Sequence, residues 1–383
     1  MRPGIKGLKL VVVGGGTGLE TLLRGIKSYL REKSSQVMDL SSLTAVVTVA
    51  DDGGMSGRLI DAFGIIPPGD IRSSLAALSD EEDLISKLFR YRLEGGGEFE
   101  GHSFGNLFLT ALAQMNDGNF LKAIQDASKV LRVEGTILPA TLDHVILVAE
   151  LEDGSLVMGE PEISKSHESS IKRIFFAKRP KFHLQDTSKP GKRETPKPLD
   201  PKPLPEVVEA IEGANAVVIG PGGLYTSILP VLLVKGIANA IKASKARKIY
   251  IVNVMTQAGR TDQYSVSDHI HRIMEYGQFQ LDYVLVNNRR TSDRMQASYR
   301  EEGASQILFG PESADVSSRI RFGKSDTITL VAGTIIQEAD LITEAEQKSI
   351  RKEDGGEVVE SKLVLRHDPR KLASALMDIL SAK

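Results

Sequence analysis

The 383-residue chain contains no cysteine. Disulfide bonds, thiolate catalysis and cysteine-ligated zinc sites are therefore excluded, and the lack of disulfides is compatible with the cytosol. The chain also lacks an excess of charge of either sign. It contains 48 Lys and Arg residues and 50 Asp and Glu residues, which give a formal net charge of -2. No continuous basic face is visible, so we expect no nucleic-acid partner.

Long hydrophobic runs are missing as well. The apolar run that begins at Leu10 is too short for a secretory signal peptide, and no stretch approaches the length of a membrane span. We therefore expect a cytoplasmic protein without a membrane span. The chain is long enough for one large α/β domain or two modest ones, with an ample core.

The most informative stretch present is KLVVVGGGTGLE, residues 9–20. Its apolar, β-branched run predicts a buried strand, and apolar residues at helical spacing follow the glycines. A strand, a glycine turn and a helix direct free N–H groups and the positive helix end at one point, which suits a phosphate. The alternative is that the glycines serve only a tight turn. The predicted ligand contacts are Gly14, Gly15, Gly16, Thr17 and Gly18.

Two familiar phosphate-binding motifs fit this loop poorly. A P-loop requires Lys and then Ser or Thr after its last glycine, but Leu19 and Glu20 follow Gly18. A dinucleotide fingerprint requires a small residue at the position of its third glycine. That position is Leu19 if Gly14 and Gly16 are the first two glycines, and Thr21 if they are Gly16 and Gly18. Walker-type ATP hydrolysis and nicotinamide binding are therefore not favoured.

An acidic loop follows the second predicted strand, Leu43–Ala50. In a doubly wound sheet the carboxyl ends of neighbouring strands line one crevice, so Asp51, Asp52 and Gly53 should lie beside the first glycine loop. The two carboxylates are the candidates for catalysis, for contact with ribose hydroxyls and for binding Mg²⁺ near phosphates. The alternative is a role in a turn or a helix cap.

Four further polar residues stand near predicted helix starts. Asp70 precedes a helical pattern and is interpreted as its N-cap. Arg72 opposes the helix dipole in the first turn, a weak indication that it reaches for an anion. His102 and Asn106 are predicted ligand contacts at the start of a later helix, although His102 equally suits a structural histidine.

A second junction of strand, glycine turn and helix follows the strand predicted at Ala214–Ile219. Two such junctions favour phosphate chemistry more than one, because a diphosphate needs donors from more than one side. The next strand, Lys248–Val254, leads to a helix that Ser267 or Asp268 would cap. The ligand contacts predicted in this region are Gly220, Pro221, Gly222, Gly223, Ser227, Asn253 and Thr256.

The alternation of strand and helix patterns predicts an α/β fold. We expect one domain over residues 1–383, with a doubly wound, mostly parallel Rossmann-like sheet, helices on both faces and a β-hairpin-rich excursion in mid-chain. Residues 178–205 are rich in Pro and Lys and predict an inserted loop, and residues 341–360 predict a charged excursion. Asp368 and Pro369 predict the start of a closing helix, after a short strand at Lys362–Leu365.

Several of these segments together resemble the CofD-like superfamily, and more closely its YvcK-type gluconeogenesis or morphogenesis factor branch. The resemblance covers most of residues 8–310 and the segment from residue 366 to residue 380. It rests on VVVGGGTGLETLLRGIK, TVADDGGMSGRL, PPGDIRSSLAALS, GHSFGNL, VIGPGGLYTSILPVLLVKGI, VNVMTQAG and YSVSDHI.

The resemblance implies two different functions. The founding relative, 2-phospho-L-lactate transferase, is a magnesium-assisted enzyme that moves a phospholactyl group from a nucleotide-linked donor to a deazaflavin. The YvcK-type branch instead resembles cytoplasmic proteins that bind UDP-sugars and are tied to cell shape, peptidoglycan synthesis and gluconeogenic growth, with no established reaction. By analogy, Tyr264 and Arg366 would contact the nucleotide-sugar, although Arg366, at the end of a predicted strand, equally suits a surface salt bridge.

The resemblance and the residue patterns together lead to expectations about ligand, metal and partners. The ligand is a nucleotide-sugar or dinucleotide, no cofactor is certain, and Mg²⁺ at Asp51 and Asp52 is the candidate metal. We further expect a homodimer, with cell-wall synthesis proteins as candidate partners.

Overall fold

The structure is a computed structural model that describes residues 7–32, 38–79, 84–95, 100–165, 169–180, 195–309, 318–322, 326–353 and 356–382. The strands are β1 (Leu10–Gly14), β2 (Leu43–Val47), β3 (Thr136–Pro139), β4 (Val145–Leu151), β5 (Leu156–Met158), β6 (Ile171–Lys178), β7 (Pro198–Leu199), β8 (Ala216–Ile219), β9 (Arg247–Ile251), β10 (Tyr283–Asn287), β11 (Ser318–Phe322), β12 (Asp326–Val331), β13 (Thr334–Ala339), β14 (Ile342–Glu353) and β15 (Gly356–His367).

The helices of the described ranges alternate with these strands. They are α1 (Gly16–Glu32), α2 (Gly54–Phe63), α3 (Gly69–Leu78), α4 (Leu84–Arg90), α5 (Phe104–Met115), α6 (Phe120–Val130), α7 (Glu160–Ile163), α8 (Pro205–Glu212), α9 (Leu229–Leu233), α10 (Lys235–Ala243), α11 (Val266–Gly277), α12 (Asp293–Glu301) and α13 (Pro369–Ser381). Within these ranges, no single helix has both the length and the apolarity needed to cross a membrane.

The central sheet has nine strands in the order β11-β12-β13-β10-β9-β8-β1-β2-β3. Strands β13 to β3 run parallel, and β11 and β12 join antiparallel at one edge. Helices α1, α3 and α13 pack together in one group, and α8, α9, α10 and α11 in another. Because helices cover the sheet, β1 is buried along its whole length, which explains its uninterrupted apolar sequence. The predicted fold class is confirmed.

Strand order reverses between β1 and β8. After β1 the chain adds β2 and then β3 on one side, and it later returns to place β8, β9 and β10 on the other side. The crevice at the carboxyl ends of β1 and β8 is therefore the topological switch point, where open α/β sheets bind their ligands.

A second, antiparallel sheet lies between the two halves of the chain, in the order β5-β4-β6-β7. It contains the predicted hairpin of β4 and β5. Part of the segment 178–205 belongs to this sheet, because Pro198–Leu199 pairs with β6. Residues 181–194 of that segment lie outside the described residues.

The other charged segment, 341–360, also contains regular structure. Strands β14 and β15 form an antiparallel hairpin that pairs Ile342 with His367 and Glu353 with Gly356. Strand β15 is thus longer than the short strand predicted at Lys362–Leu365. The closing helix α13 is confirmed, and the Asp368 carboxylate accepts hydrogen bonds from the next two free backbone N–H groups.

The predicted cap of α11 is wrong, and one parallel strand of the central sheet was not predicted. Helix α11 is not capped by Ser267 or Asp268, because its N-cap is Ser265, whose side chain accepts a hydrogen bond from the backbone N–H of Asp268. In return, Asp268 Oδ2 accepts a hydrogen bond from the backbone N–H of Ser265 at 2.8 Å. This is a capping box, which the serine three residues before an acidic residue could have indicated. Strand β13, parallel to β10, was not predicted from the sequence.

Candidate functional site

The two glycine loops contact each other at the switch point. Strands β1 and β8 are parallel neighbours, with Val13 opposite Ile219, so the loops that follow them leave the sheet at the same edge. A Cβ atom on Gly18 would lie 2.5 Å from the carbonyl oxygen of Pro221, and one on Gly222 would lie 3.0 Å from the Gly15 carbonyl. The close approach of the two backbones therefore requires glycine at position 18 and leaves little room for a side chain at position 222.

A cleft of about 360 Å³ opens between these loops. Its volume lies in the range of small-molecule binding sites. Eleven of the residues predicted from the sequence line it: Gly15, Gly16, Thr17, Gly18, Pro221, Gly222, Gly223, Ser227, Asn253, Thr256 and Arg366. The structure thus brings together side chains and backbone groups from four separate parts of the chain.

Eight predicted residues do not line this cleft, and Gly14, Gly220 and Tyr264 are three of them. Gly14 and Gly220 lie behind it, where a Cβ on Gly14 would be 3.7 Å from the Cα of Gly220. The Tyr264 hydroxyl lies 2.7 Å from that of Tyr225 and accepts a hydrogen bond from Arg272 Nε at 3.4 Å. Tyr264 is therefore part of a neighbouring hydrogen-bonded cluster in this structure.

Several residues that line the cleft were not predicted from the sequence. Arg260 and Glu160 both reach it, and burial lowers the pKa of Arg260. His367, next to Arg366, is buried, and its ring donates a hydrogen bond to the carbonyl of Val252. Burial lowers the pKa of His367 to about 4, so the imidazole is neutral at physiological pH. In the sequence, the residues around His367 indicate only the start of a helix, at Asp368 and Pro369.

A second cavity, of about 300 Å³, adjoins the cleft. Gly16 and Thr17 line both spaces, so the first glycine loop forms the wall between them. The predicted residues Asp51, Gly53 and Asn106 line this cavity. His102 is buried and lines neither space.

Asp51 shares the second cavity with Asp70. Asp70 is not the N-cap of α3, because that helix begins at Gly69 after Pro68. Burial raises the pKa of Asp70, and the negative charge of Asp51 raises it further, although a hydrogen bond from Gly16 N–H opposes the change. Burial, followed by the charge of Glu160, raises the pKa of Asp51. Two carboxyl groups in such a site ionise reluctantly, as in the acid–base pairs of enzymes.

Asp52 has a different environment from Asp51. Its carboxylate accepts hydrogen bonds from Arg179 Nη1 and from Glu160 N, both at 2.9 Å. The Asp52 and Arg179 side chains are only 8% and 10% exposed, and Arg179 also pairs with Asp61. Asp52 thus joins the second sheet to the main sheet, and the acidic pair at the cavity is Asp51 with Asp70.

The sequence profile described as 2-phospho-L-lactate transferase CofD matches residues 10–320. The chain belongs to the CofD family. A gluconeogenesis factor from Halalkalibacterium halodurans is 46% identical over 79% of this CofD-family chain and 85% of that relative. A gluconeogenesis factor from Bacillus subtilis is 39% identical over 97% of this chain and 98% of the relative.

The similarity to other CofD-family proteins extends to structure. A crystal structure of a UPF0052 family member from Bacillus halodurans has 39% sequence identity and a TM-score of 0.75, and the match covers 97% of this chain and 99% of that one. Some relatives are longer: one from Nostoc sp. is 44% identical over 82% of this chain, and the match covers 62% of that relative. The family resemblance seen in the sequence is confirmed.

Proposed function

We propose that this CofD-family protein binds a nucleotide-sugar, of the UDP-N-acetylglucosamine type, in the cleft between the two glycine loops. The observation that carries the proposal is the direct contact of these loops at the switch point of the sheet. Each loop leads from a strand toward a helical turn, so backbone N–H groups approach the cleft from two sides. A diphosphate, with two linked anionic groups, fits this arrangement better than a single phosphate does.

The side chains around the loops suit the other parts of such a ligand. Arg366 lines the cleft and supplies a guanidinium group, which can contact a phosphate through two parallel hydrogen bonds. Thr17 and Ser227 offer hydroxyl groups to the same space. Asn253 Oδ1 accepts a hydrogen bond from Gly222 N at 3.2 Å, which fixes the second loop at the cleft.

The relatives' names support a regulatory role. Two similar proteins are called gluconeogenesis factors. We propose that this protein acts in the cytoplasm and links nucleotide-sugar levels to growth on gluconeogenic carbon, cell shape and peptidoglycan synthesis. Binding without consumption is the expected behaviour of such a sensor. The homodimer and the cell-wall synthesis partners stay predictions from the sequence.

Substitution of Arg366 tests the proposed site. Arg366→Ala should weaken the binding of UDP-N-acetylglucosamine by about 1–3 kcal/mol, because a charge-assisted hydrogen bond is lost. Titration calorimetry measures the change, and Arg370→Ala is the matched control, since Arg370 is an exposed arginine in the same segment with only a surface contact to Glu32 at 3.6 Å. Equal affinities of the Arg366→Ala variant and the wild type would refute the assignment.

A transferase function is the second candidate, and the pair Asp51 and Asp70 favours it. Among the described residues, no group of three or more His, Cys, Asp or Glu side chains is arranged to hold a metal ion. Mg²⁺ needs less, however, since one or two carboxylates together with substrate phosphates complete its usual site. Asp51 and Asp70 meet this requirement. The carboxylate of Asp52 instead accepts hydrogen bonds from the Arg179 side chain and from the backbone N–H of Glu160. When bound, the ion would polarise a phosphoryl group and neutralise its charge.

The two candidate functions give different results with the same ligands. A regulator binds UDP-N-acetylglucosamine and returns it intact, which phosphorus NMR of the incubated mixture can verify. A transferase consumes a nucleoside diphosphate-linked donor only with Mg²⁺, and Asp51→Asn should abolish that turnover. A wild-type protein that leaves a panel of such donors unchanged would remove the transferase alternative.

A further inference from the structure

The second cavity contains positive charge that the nucleotide-sugar site does not use. Arg72, from the first turn of α3, and Arg92, which follows α4, both line this cavity and neither lines the first cleft. The first glycine loop separates the two spaces at Gly16 and Thr17. Any ligand of the two arginines is therefore a neighbour of a ligand in the first cleft.

Both guanidinium groups lack a carboxylate partner in the part of the chain that the structure describes. Arg72 Nη2 donates to Ser73 Oγ at 3.0 Å, and Arg92 Nη1 donates to the Gly101 carbonyl at 3.0 Å. Arg72 Nε is buried and has no hydrogen-bond partner. Arg72 and Arg92 are close enough for their positive charges to interact, while the carboxylates of Glu20, Asp70 and Asp51 act on Arg72 with the opposite sign. Two like charges held together at a cavity favour an anion between them.

The surroundings of Arg72 hold its side chain in place. The residue packs on Gly105 in the first turn of α5, where a Cβ would lie 2.9 Å from both the Cγ and the Cδ of Arg72. Asn106, only 6% exposed, lines the same cavity, and its Oδ1 is buried without a hydrogen-bond partner. A buried polar atom without a partner is costly, so this side chain, like Arg72 Nε, indicates a missing ligand.

The acidic pair lies in the same cavity and restricts the ligand further. Asp51 and Asp70 would repel a bare anion, but their oxygens can exchange hydrogen bonds with hydroxyl groups. A suitable ligand therefore carries an anionic group for the arginines and hydroxyl groups for the carboxyls. The tetrahedral phosphate group can contact both guanidinium forks at once.

We propose that Arg72 and Arg92 form a second binding subsite, which takes a small phosphate monoester with neighbouring hydroxyl groups while the first cleft holds its own ligand. This subsite is separate from the proposed nucleotide-sugar site, because it uses different side chains on the other side of the first glycine loop. The two sites share one wall, so occupancy of one can affect the other.

Titration calorimetry with sn-glycerol 3-phosphate tests the proposal, with glycerol and inorganic phosphate as partial probes. The titration is repeated with saturating UDP-N-acetylglucosamine. Arg92→Gln should weaken binding of the phosphate monoester by about tenfold or more, as expected for a lost charge-assisted contact. Arg92 is exposed, so this variant should fold. Arg58→Gln, in the exposed part of α2 and outside both spaces, is the matched control.

Each outcome decides the proposal. Binding that persists with UDP-N-acetylglucosamine and weakens in Arg92→Gln, but not in Arg58→Gln, supports it, and Arg72→Lys should show a similar loss. No binding by the wild type, displacement by UDP-N-acetylglucosamine or unchanged affinity in Arg92→Gln would overturn it. If UDP-N-acetylglucosamine does not bind to the wild type, the proposed function fails, but the second subsite is still tested by sn-glycerol 3-phosphate. In that case, loss of sn-glycerol 3-phosphate binding in Arg366→Ala but not in Arg92→Gln would overturn the second subsite as well.

Discussion

Replacing Asp70 by Asn should stabilise the protein at neutral and alkaline pH. Asp70 is half-buried beside a second carboxyl group, and loss of solvation together with the negative charge of Asp51 raises its pKa from 3.8 to about 7. Asparagine has nearly the same shape and keeps an oxygen that can accept the hydrogen bond from Gly16 N–H. The substitution therefore removes the cost of a buried charge and changes little else.

The size of the effect follows from the difference in pKa between the folded and unfolded states. About three pKa units, at about 1.36 kcal/mol each, give an upper limit of about 4 kcal/mol. Because the folded state binds a proton that the unfolded state has already released, wild-type stability falls as pH rises from about 4 to about 7. The gain from Asp70→Asn should thus be absent at pH 4 and complete at pH 8.

Urea unfolding at pH 4, pH 6 and pH 8 measures this difference in the free energy of unfolding. Asp262→Asn is the control, since Asp262 is exposed and should show no comparable gain. A destabilised Asp70→Asn variant at pH 8, or a gain of equal size at all three pH values, would refute the reasoning.

Two further substitutions test the glycine loops and the link between the sheets. Gly18→Ala should lower the free energy of unfolding by about 1–3 kcal/mol, measured with urea, because the new methyl group forces the loops apart. The same substitution should weaken nucleotide-sugar binding. Gly213→Ala is the control and should have neither effect, because Gly213 has room for a Cβ atom. Arg179→Gln should cost about 3–5 kcal/mol, because it leaves the buried Asp52 carboxylate without its ion pair; Arg173→Gln, at an exposed pair, should cost less than about 1 kcal/mol. Equal losses in variant and control would contradict either prediction.

The buried acidic pair has a consequence for function. Asp70 lowers stability at neutral pH, although asparagine would fit the same space. Destabilising polar groups of this kind are concentrated at functional sites, where stability is traded for activity or binding. The pair Asp51 and Asp70 is thus more consistent with contact to a ligand than with a role in folding alone.

Local sequence patterns were sufficient to predict the glycine loops and most of the parallel sheet. A strand followed by glycines and a helix is a short-range signal, so both loops could be recognised before their contact was known. Their common position then followed from the rule that ligands bind at the carboxyl ends of strands at a switch point. The capping box of α11 involves only two side chains, and β13 contains only two adjacent isoleucines, so neither pattern was recognised in the sequence.

The roles of the acidic residues could not be read from neighbouring sequence. Asp52 is paired with Arg179, 127 residues away, and only the fold brings the two together. Asp70 looked like a helix cap because it stands at a helix start, but tertiary burial gives it a different environment. Whether a carboxylate is paired, capped or left beside a cavity depends on contacts distant in the chain, which a single sequence does not specify.

Titration calorimetry of the wild-type protein with UDP-N-acetylglucosamine, UDP and uridine tests the central claim most directly. If the paired glycine loops hold a diphosphate, UDP should retain most of the affinity of the nucleotide-sugar, and uridine should bind far more weakly or not at all. Uridine that binds as tightly as UDP would contradict the account, since the affinity would then come from the base and not from the loops.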